Sequence, residues 1–210
     1  MPGNRDRVCV CGRFKILTDT RFCFHCGHAL AVWEDHGVER LRCPVCGYIT
    51  YDNAKPCAGV LITQDRQVLL VRRGIEPFKD YWDIPGGFLD GGEHPTDGAR
   101  REAREETGLT VELLGALATY MDRYRSQGDD VWTLNMYYVA RPVSGEPRAA
   151  DDAVDVRWFD ADDLPEQMAF PDHAHRVLAD WRGWIEHPTD YGLKDVAPPI
   201  EDRRRGSVLP

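Results

Sequence analysis

The sequence has no run of eighteen apolar residues, so no segment suits a membrane-spanning helix. Its opening, MPGNRDRVCVCG, lacks the apolar core of a secretory signal. Positive charge is also short, with 26 Lys and Arg against 35 Asp and Glu and a net charge of −9. An acidic chain has no general attraction to nucleic acid or anionic lipid, so a phosphate-bearing ligand must be met by metal ions or a local basic patch. Cysteine nearly vanishes after residue 47: six of the seven lie before it, and only Cys57 follows. That crowding suits metal ligation in a reducing compartment better than a disulfide framework. Internal repeats are absent too. These absences predict a cytoplasmic protein with no membrane partner.

What is present fits a folded chain. The hydrophobic and charged fractions, 42% and 29%, are globular, and 210 residues suffice for one core plus a small accessory module. Residues 1–22 carry Cys9 and Cys11 as their only chemistry, and their fold stays open. Residues 23–52 form a cysteine module too small to bury a core without a staple. Residues 53–187 hold the main domain, and 188–210, rich in proline and charge, read as a tail without fixed structure. Within the main domain CAGVLIT (57–63) and the run QVLLVRR from residue 67 predict a hairpin. Pro95 and Gly108 punctuate a helix over 95–107. Strands are expected at 110–120, 131–140 and 154–159. A last helix is predicted in FPDHAHRVLADWRGWI, where Ala174, Val177, Leu178, Trp181 and Ile185 recur at helical spacing. Strands, a helix, more strands and a helix make an α/β or α+β sandwich.

Cys23-x2-Cys26 and Cys43-x2-Cys46, sixteen residues apart, fit a four-thiolate zinc ribbon. Gly27 and Gly47 follow each pair where a tight knuckle needs a positive φ. With four protein ligands the Zn²⁺ would be structural, with no open position for water; the alternative is four buried free thiols. Cys9 and Cys11 could join His25, His28 or His36 in a second site or remain free thiols. His173 and His175, two apart on a helix, fall on different faces and make no shared metal pair.

The densest chemistry lies in GGFLDGGEHPTDGARREAREETGL, residues 86–109. At 100° per residue Glu102, Glu105 and Glu106 share one helical face, and three such charges require a positive partner. Hard oxygen ligands suit Mg²⁺ or Mn²⁺. The plainer alternative is a solvated acidic face held by ordinary pairs such as Arg101–Glu105. Read in full, Gly87, Glu93, Arg101-Glu102, Glu105-Glu106 and Gly108-Leu109 stand at a spacing that resembles the signature of the Nudix hydrolases, with Ala103 where a larger aliphatic residue is frequent. The looser likeness in strand order runs from about residue 55 to 187.

The resemblance implies an α/β/α sandwich with a mixed sheet, preceded here by the zinc ribbon. It implies hydrolysis of a pyrophosphate linkage in a nucleoside diphosphate derivative. On this likeness Glu102, Glu105 and Glu106, with a backbone carbonyl of Gly86 or Gly87, hold Mg²⁺ or Mn²⁺, and Glu93 and Arg101 brace the loop and orient the ligands. Bound cations would neutralise the phosphates and lower the pKa of a coordinated water. The general base is Glu105 or Glu102 ahead of the loop acids Asp129, Asp130, Glu146, Asp151, Asp152 and Asp155.

A ribbon directly before such a domain is similar to the NADH pyrophosphatase branch, and CPVCGYITYDNAKPCAGVLI resembles its junction. That branch commonly has a longer N-terminal region and a Ser-Gln-Pro-Trp-Pro-Phe-Pro-like segment after the box, and neither stands here. NADH and ADP-ribose-like dinucleotides are therefore favoured together, and among nucleic acids only a capped RNA end fits the charge. Related enzymes are often homodimers. Phe78, Tyr81, Trp82, Tyr124 and Trp132 are candidates to stack on a base. The competing class is a non-catalytic nucleotide sensor or partner-binding protein, which would usually have lost a box carboxylate; this chain retains them all.

Overall fold

The computed structural model describes residues 21–126 and 129–187. Cys9, Cys11 and the 188–210 tail lie outside the described residues. The chain divides into two compact units, residues 1–53 and 54–210. Among the described residues no helix is long and apolar enough to cross a membrane.

In the first unit two cysteine knuckles flank a small antiparallel sheet of β1 (Ala31–Asp35), β2 (Val38–Arg42) and β3 (Ile49–Thr50). Each knuckle closes through the glycine after its second cysteine: Gly27 N–H donates to Cys23 O at 2.8 Å and Gly47 N–H to Cys43 O at 3.0 Å. Both glycines sit at positive φ, 71° and 78°, where a side chain would be strained. Phe22, Phe24, Val32 and Val45 are exposed, as expected of a unit with too few residues for a core.

The second unit is built on β4 (Lys55–Gln64), β5 (Gln67–Arg73), β8 (Thr110–Ser126), β9 (Asp129–Ser144) and β10 (Ala153–Asp160), in the order β10-β5-β4-β9-β8. Short β6 (Trp82–Asp83) pairs with β5, and β7 (Gly86–Phe88) with β4. The β4–β9 pair is parallel and the others are antiparallel, so the sheet is mixed. Alternation along the central strands assigns the faces. Val60, Ile62 and Leu69 pack with Ala99 and Ala103 of α1 (Pro95–Thr107). Leu61, Val68 and Leu70 pack with Val177, Leu178 and Trp181 of α2 (Pro171–Glu186). One helix thus covers each face, and the result is an α/β/α sandwich.

α1 occupies the predicted residues. His94 caps it by accepting from Thr96 N–H at 3.2 Å, and Gly108 ends it at φ 72° with its N–H on Arg104 O. The predicted hairpin is present and the extent of two later strands needs correction. The β4–β5 hairpin forms its turn but pairs only Thr63 with Val68 and Gln64 with Gln67. Both strands are buried on both faces, so each takes another neighbour, β9 for β4 and β10 for β5. The strands expected at 110–120 and 131–140 also run further, to Ser126 and from Asp129. Their polar ends lack the apolar alternation that marks a buried strand and are joined by cross-strand ion pairs of Asp130 with Arg123 and Arg125. Asp129 and Asp130, like Asp155 in β10, are therefore strand residues, not loop acids.

Candidate functional site

The loop from β7 into α1 carries the acidic cluster. Gly86 and Gly87 are glycines because of contact: a Cβ on Gly86 would lie 2.6 Å from Ala58 O, and one on Gly87 2.5 Å from Glu102 Oε1. Gly86 N–H donates to Glu106 Oε2 at 3.0 Å, fastening the loop to the last turn of α1. Arg101 is the hub. Its Nε and Nη2 donate to the two oxygens of Glu93 at 2.8 and 2.9 Å, and Nη2 also reaches Phe88 O at 3.1 Å. Its Nη1 is shared by Glu102 Oε1 at 2.7 Å and Glu105 Oε2 at 2.9 Å.

The three helical glutamates are in unequal surroundings. Glu102 and Glu106 are buried, 8% and 6% exposed, whereas the Glu105 side chain is 44% exposed. Burial, with the charges of Asp152, Glu102 and Asp83, pushes the Glu106 carboxyl well above its usual range. Burial also raises Glu102, against the opposing hydrogen bond and charge of Arg101. Glu93 moves the other way, held down by its hydrogen bonds from Arg101. Buried carboxyls that are costly to ionise are a donor set that a divalent cation would stabilise.

Gly86, which bonds Glu106, and Gly87, against which Glu102 packs, line a cleft of about 270 Å³ together with Asp83, Asp152, Arg73 and Cys57. Of the six acids considered beyond the box, Asp152 is the one that borders this cleft, and its charge acts on both buried glutamates. Asp155 pairs with Arg72 and Arg157, and Asp130 with Arg123. Glu146 and Asp151 border the neighbouring turns without lining the cleft.

Among the proposed stacking residues Tyr124 lines the cleft. Phe78 and Tyr81 stand behind it, Phe78 packing edge-on against Phe170 at 4.9 Å. Trp82 packs on Phe159, and Trp132 carries the Arg123 guanidinium at 5.3 Å; neither lines the cleft. The rings that do line it beside Tyr124 are Phe88, Phe170, Tyr137 and His173. Phe170 had no mark in the sequence beyond its place before Pro171.

In the first unit the Sγ atoms of Cys23, Cys26, Cys43 and Cys46 all lie within 4.8 Å of one another, with Cys23–Cys46 at 3.5 Å and Cys26–Cys43 at 3.4 Å. Tetrahedral Zn–S bonds of about 2.3 Å separate sulfurs by about 3.8 Å, so the set fits zinc. It is the only such gathered set among the described residues; the oxygens of the box glutamates are drawn instead to Arg101 and the Gly86 amide.

The NUDIX domain family model matches residues 54–181. The ADP-ribose pyrophosphatase of Methanocaldococcus jannaschii is 33% identical over 124 residues, 59% of this chain and 70% of that protein. The NAD-capped RNA hydrolase NudC of Pseudomonas aeruginosa is 31% identical over 175 residues, 79% of this chain but only 58% of its own length. The crystal structure of a NUDIX hydrolase from Nitrosomonas europaea superposes with a TM-score of 0.67 at 25% identity, covering 84% of this chain and 96% of that one. With more than half its length matched and the acidic loop–helix in place, the chain belongs to the NUDIX domain family.

Proposed function

We propose that this chain is a divalent-cation-dependent pyrophosphohydrolase that cleaves the anhydride of a nucleoside diphosphate joined to a second group, with NADH- and ADP-ribose-like dinucleotides favoured. The observation that carries the reading is the placement of the complete carboxylate set. Glu102 and Glu106 are buried in α1 against Gly87 and Gly86, two residues of the cleft wall that Asp152 also lines, with Arg101 clamped to Glu93.

Glu102, Glu105 and Glu106, with a carbonyl of Gly86 or Gly87, are the residues that would hold Mg²⁺ or Mn²⁺. Divalent cations bound there neutralise adjacent phosphates and make water a stronger acid. The chain's own residues do the rest. Glu93 fixes Arg101, and Arg101 fixes Glu102 and Glu105. Glu105, the exposed member, and Asp152, at the cleft wall, are the carboxylates that this reading assigns to accept a proton from the attacking water. The four thiolates of the first unit would hold a structural Zn²⁺ and keep their positions closed to water, which fits a cytoplasmic, reducing setting.

Support for the substrate class comes from two directions. One relative is named for ADP-ribose, and others, matched over three quarters or more of this chain, for NAD-capped RNA. The adenosine diphosphate unit is common to both, and a capped RNA end carries the same anhydride. The test is hydrolysis of NADH, ADP-ribose, a dinucleoside polyphosphate and simple phosphomonoesters in ¹⁸O water with Mg²⁺ or Mn²⁺, with products read by mass. Anhydride cleavage labels a phosphate in one product and no carbon. Phosphate release from the monoesters with every dinucleotide untouched would overturn the assignment.

A further inference from the structure

His173 enters the cleft from the first turn of α2, and cation chemistry at α1 makes no use of it. It is 4% exposed. Its Nδ1 meets Asp122 Oδ2 on β8, and its Nε2 meets the Tyr137 hydroxyl on β9 at 2.8 Å. The second oxygen of Asp122 accepts the Arg123 N–H at 2.7 Å, so the carboxylate is held in orientation. Tyr137 has its place because β4 has a glycine below it: a Cβ on Gly59 would come within 2.3 Å of the ring. All three residues line the same cleft as Gly86 and Gly87.

This row is not required for proton transfer to a leaving group. Cleavage of a pyrophosphate expels a phosphate, which leaves without being protonated. Nor does Tyr137 act as an anion, since burial raises its phenol well above the usual range. The hydroxyl remains a neutral hydrogen-bonding group, and a single proton on His173 sets its direction. With His173 neutral, Asp122 accepts the Nδ1 hydrogen, Nε2 takes the phenolic hydrogen, and the phenol oxygen faces the cleft as an acceptor. With His173 protonated, Nε2–H donates to the phenol oxygen and the phenolic hydrogen turns outward as a donor.

Resting on the pyrophosphohydrolase reading, we infer that Asp122, His173 and Tyr137 form the specificity-determining wall of the cleft. Tyr137, its hydroxyl hydrogen drawn to His173 Nε2, accepts a hydrogen bond from an exocyclic amine or carboxamide N–H on the base of the substrate. Phe88, Tyr124 and Phe170 line the same cleft and offer faces for a planar ring. The other charged groups around His173 are accounted for. Arg73 of β5 and Asp83 of β6 pair with each other at 3.0 Å, and Tyr120 of β8 packs on Tyr137 and bonds Asp180 of α2. Asp172 and Arg176, on the histidine's own helix, face solvent. Asp122 is thus the carboxylate in contact with the imidazole.

The experiment compares kcat/KM for NADH with that for two deaminated relatives, one with nicotinic acid in place of nicotinamide and one with hypoxanthine in place of adenine. Wild type, Y137F and H173Q are assayed with Mg²⁺ at neutral pH. Ratios cancel any effect common to the substrates, cation binding included. Wild type should prefer NADH over one relative by about tenfold, the order expected for one hydrogen bond. Y137F should bring the ratio to within about twofold of one, and H173Q, which removes the ring nitrogen that holds the hydroxyl hydrogen, should reduce it. A wild type without preference, or a Y137F ratio equal to the wild-type ratio, overturns the inference and leaves hydrolysis standing. A wild type inert toward all three and toward ADP-ribose overturns the parent reading, and this one falls with it. Should H173Q fail to fold, Y137F, which removes one oxygen, decides.

Discussion

Arg101 grips Glu93 with two prongs, Nε to Oε1 at 2.8 Å and Nη2 to Oε2 at 2.9 Å, and so ties the loop before α1 to the middle of the helix. The Glu93 carboxyl is 13% exposed and held below its ordinary range by these bonds. Because the folded value lies below the unfolded one, the contribution is fully present above the unfolded value, about 4.3, and is lost as pH falls through the folded value. E93Q should therefore lower stability by about 1.5–3 kcal/mol at neutral pH, the range for charge-assisted hydrogen bonds. The gap between variant and wild type should close below about pH 4. Urea unfolding at a series of pH values reads this, and a gap that widens toward acid contradicts it.

Glu105 and Glu106 are adjacent in sequence but unlike in burial, and the same amide substitution separates two effects. E105Q and E106Q should each cost about a thousandfold in turnover, several kcal/mol of transition-state stabilisation, if each holds a catalytic cation. Only E106Q removes a buried carboxyl that is costly to ionise. In EDTA at neutral pH it should therefore melt higher than wild type, by about 2–4 °C for each kcal/mol recovered, while E105Q should melt near wild type. Differential scanning calorimetry with and without Mg²⁺ gives both readings.

The contrast between those two glutamates also shows where sequence reading stops. Pro95, Gly108 and the alternation of Val60, Leu61 and Ile62 are local signals, and from them α1 and the central strands were legible. Spacing alone placed the four cysteines and the acidic box. It gave no view of partners distant in the chain. Asp152 meets the cleft only because β10 pairs with β5, and Phe170 and His173 only because α2 packs against β8 and reaches Tyr137 of β9. The aromatic candidates Trp82 and Trp132 were chosen for residue type, and packing against Phe159 and Arg123 absorbed them instead. The ends of β8 and β9 escaped because ion pairs, not apolar alternation, hold them.

The cysteine set leads to a prediction about modularity. Purified protein should carry about one Zn²⁺ per chain, and C23S or C43S should lose it. Residues 21–53 form a separate compact unit whose small sheet buries little, so its amides should exchange rapidly in these variants. Because a closed four-thiolate site offers no coordination position to water, Mg²⁺-dependent turnover should persist. Hydrogen exchange by mass spectrometry together with metal analysis checks both halves, and turnover that vanishes along with the zinc in a still-folded second unit counts against a structural role.

Gly86 and Gly87 are neighbours, yet alanine should damage them in different ways. A Cβ on Gly86 would meet Ala58 O at 2.6 Å and Gly59 Cα at 2.7 Å. Those are backbone atoms of β4, paired with β7 through Ala58–Gly87 and Gly59–Gly86, and they cannot move without disturbing the central strand. G86A should therefore cost stability, about 1–3 kcal/mol as for other overpacked sites, and activity along with it. A Cβ on Gly87 would meet the end of a side chain, Glu102 Oε1 at 2.5 Å, which can swing aside at little cost to the fold. The displaced carboxylate then leaves Arg101 Nη1 and the position from which it would hold a cation. G87A should accordingly unfold at nearly the wild-type denaturant concentration while losing turnover by a hundredfold or more, on the order of what misplacing a reacting group costs. Raised Mg²⁺ should restore part of the loss in G87A and none of the stability deficit in G86A. Equal destabilisation of the two variants would show that Glu102 is as fixed as the strand backbone and would remove the basis for assigning it a mobile ligand's part.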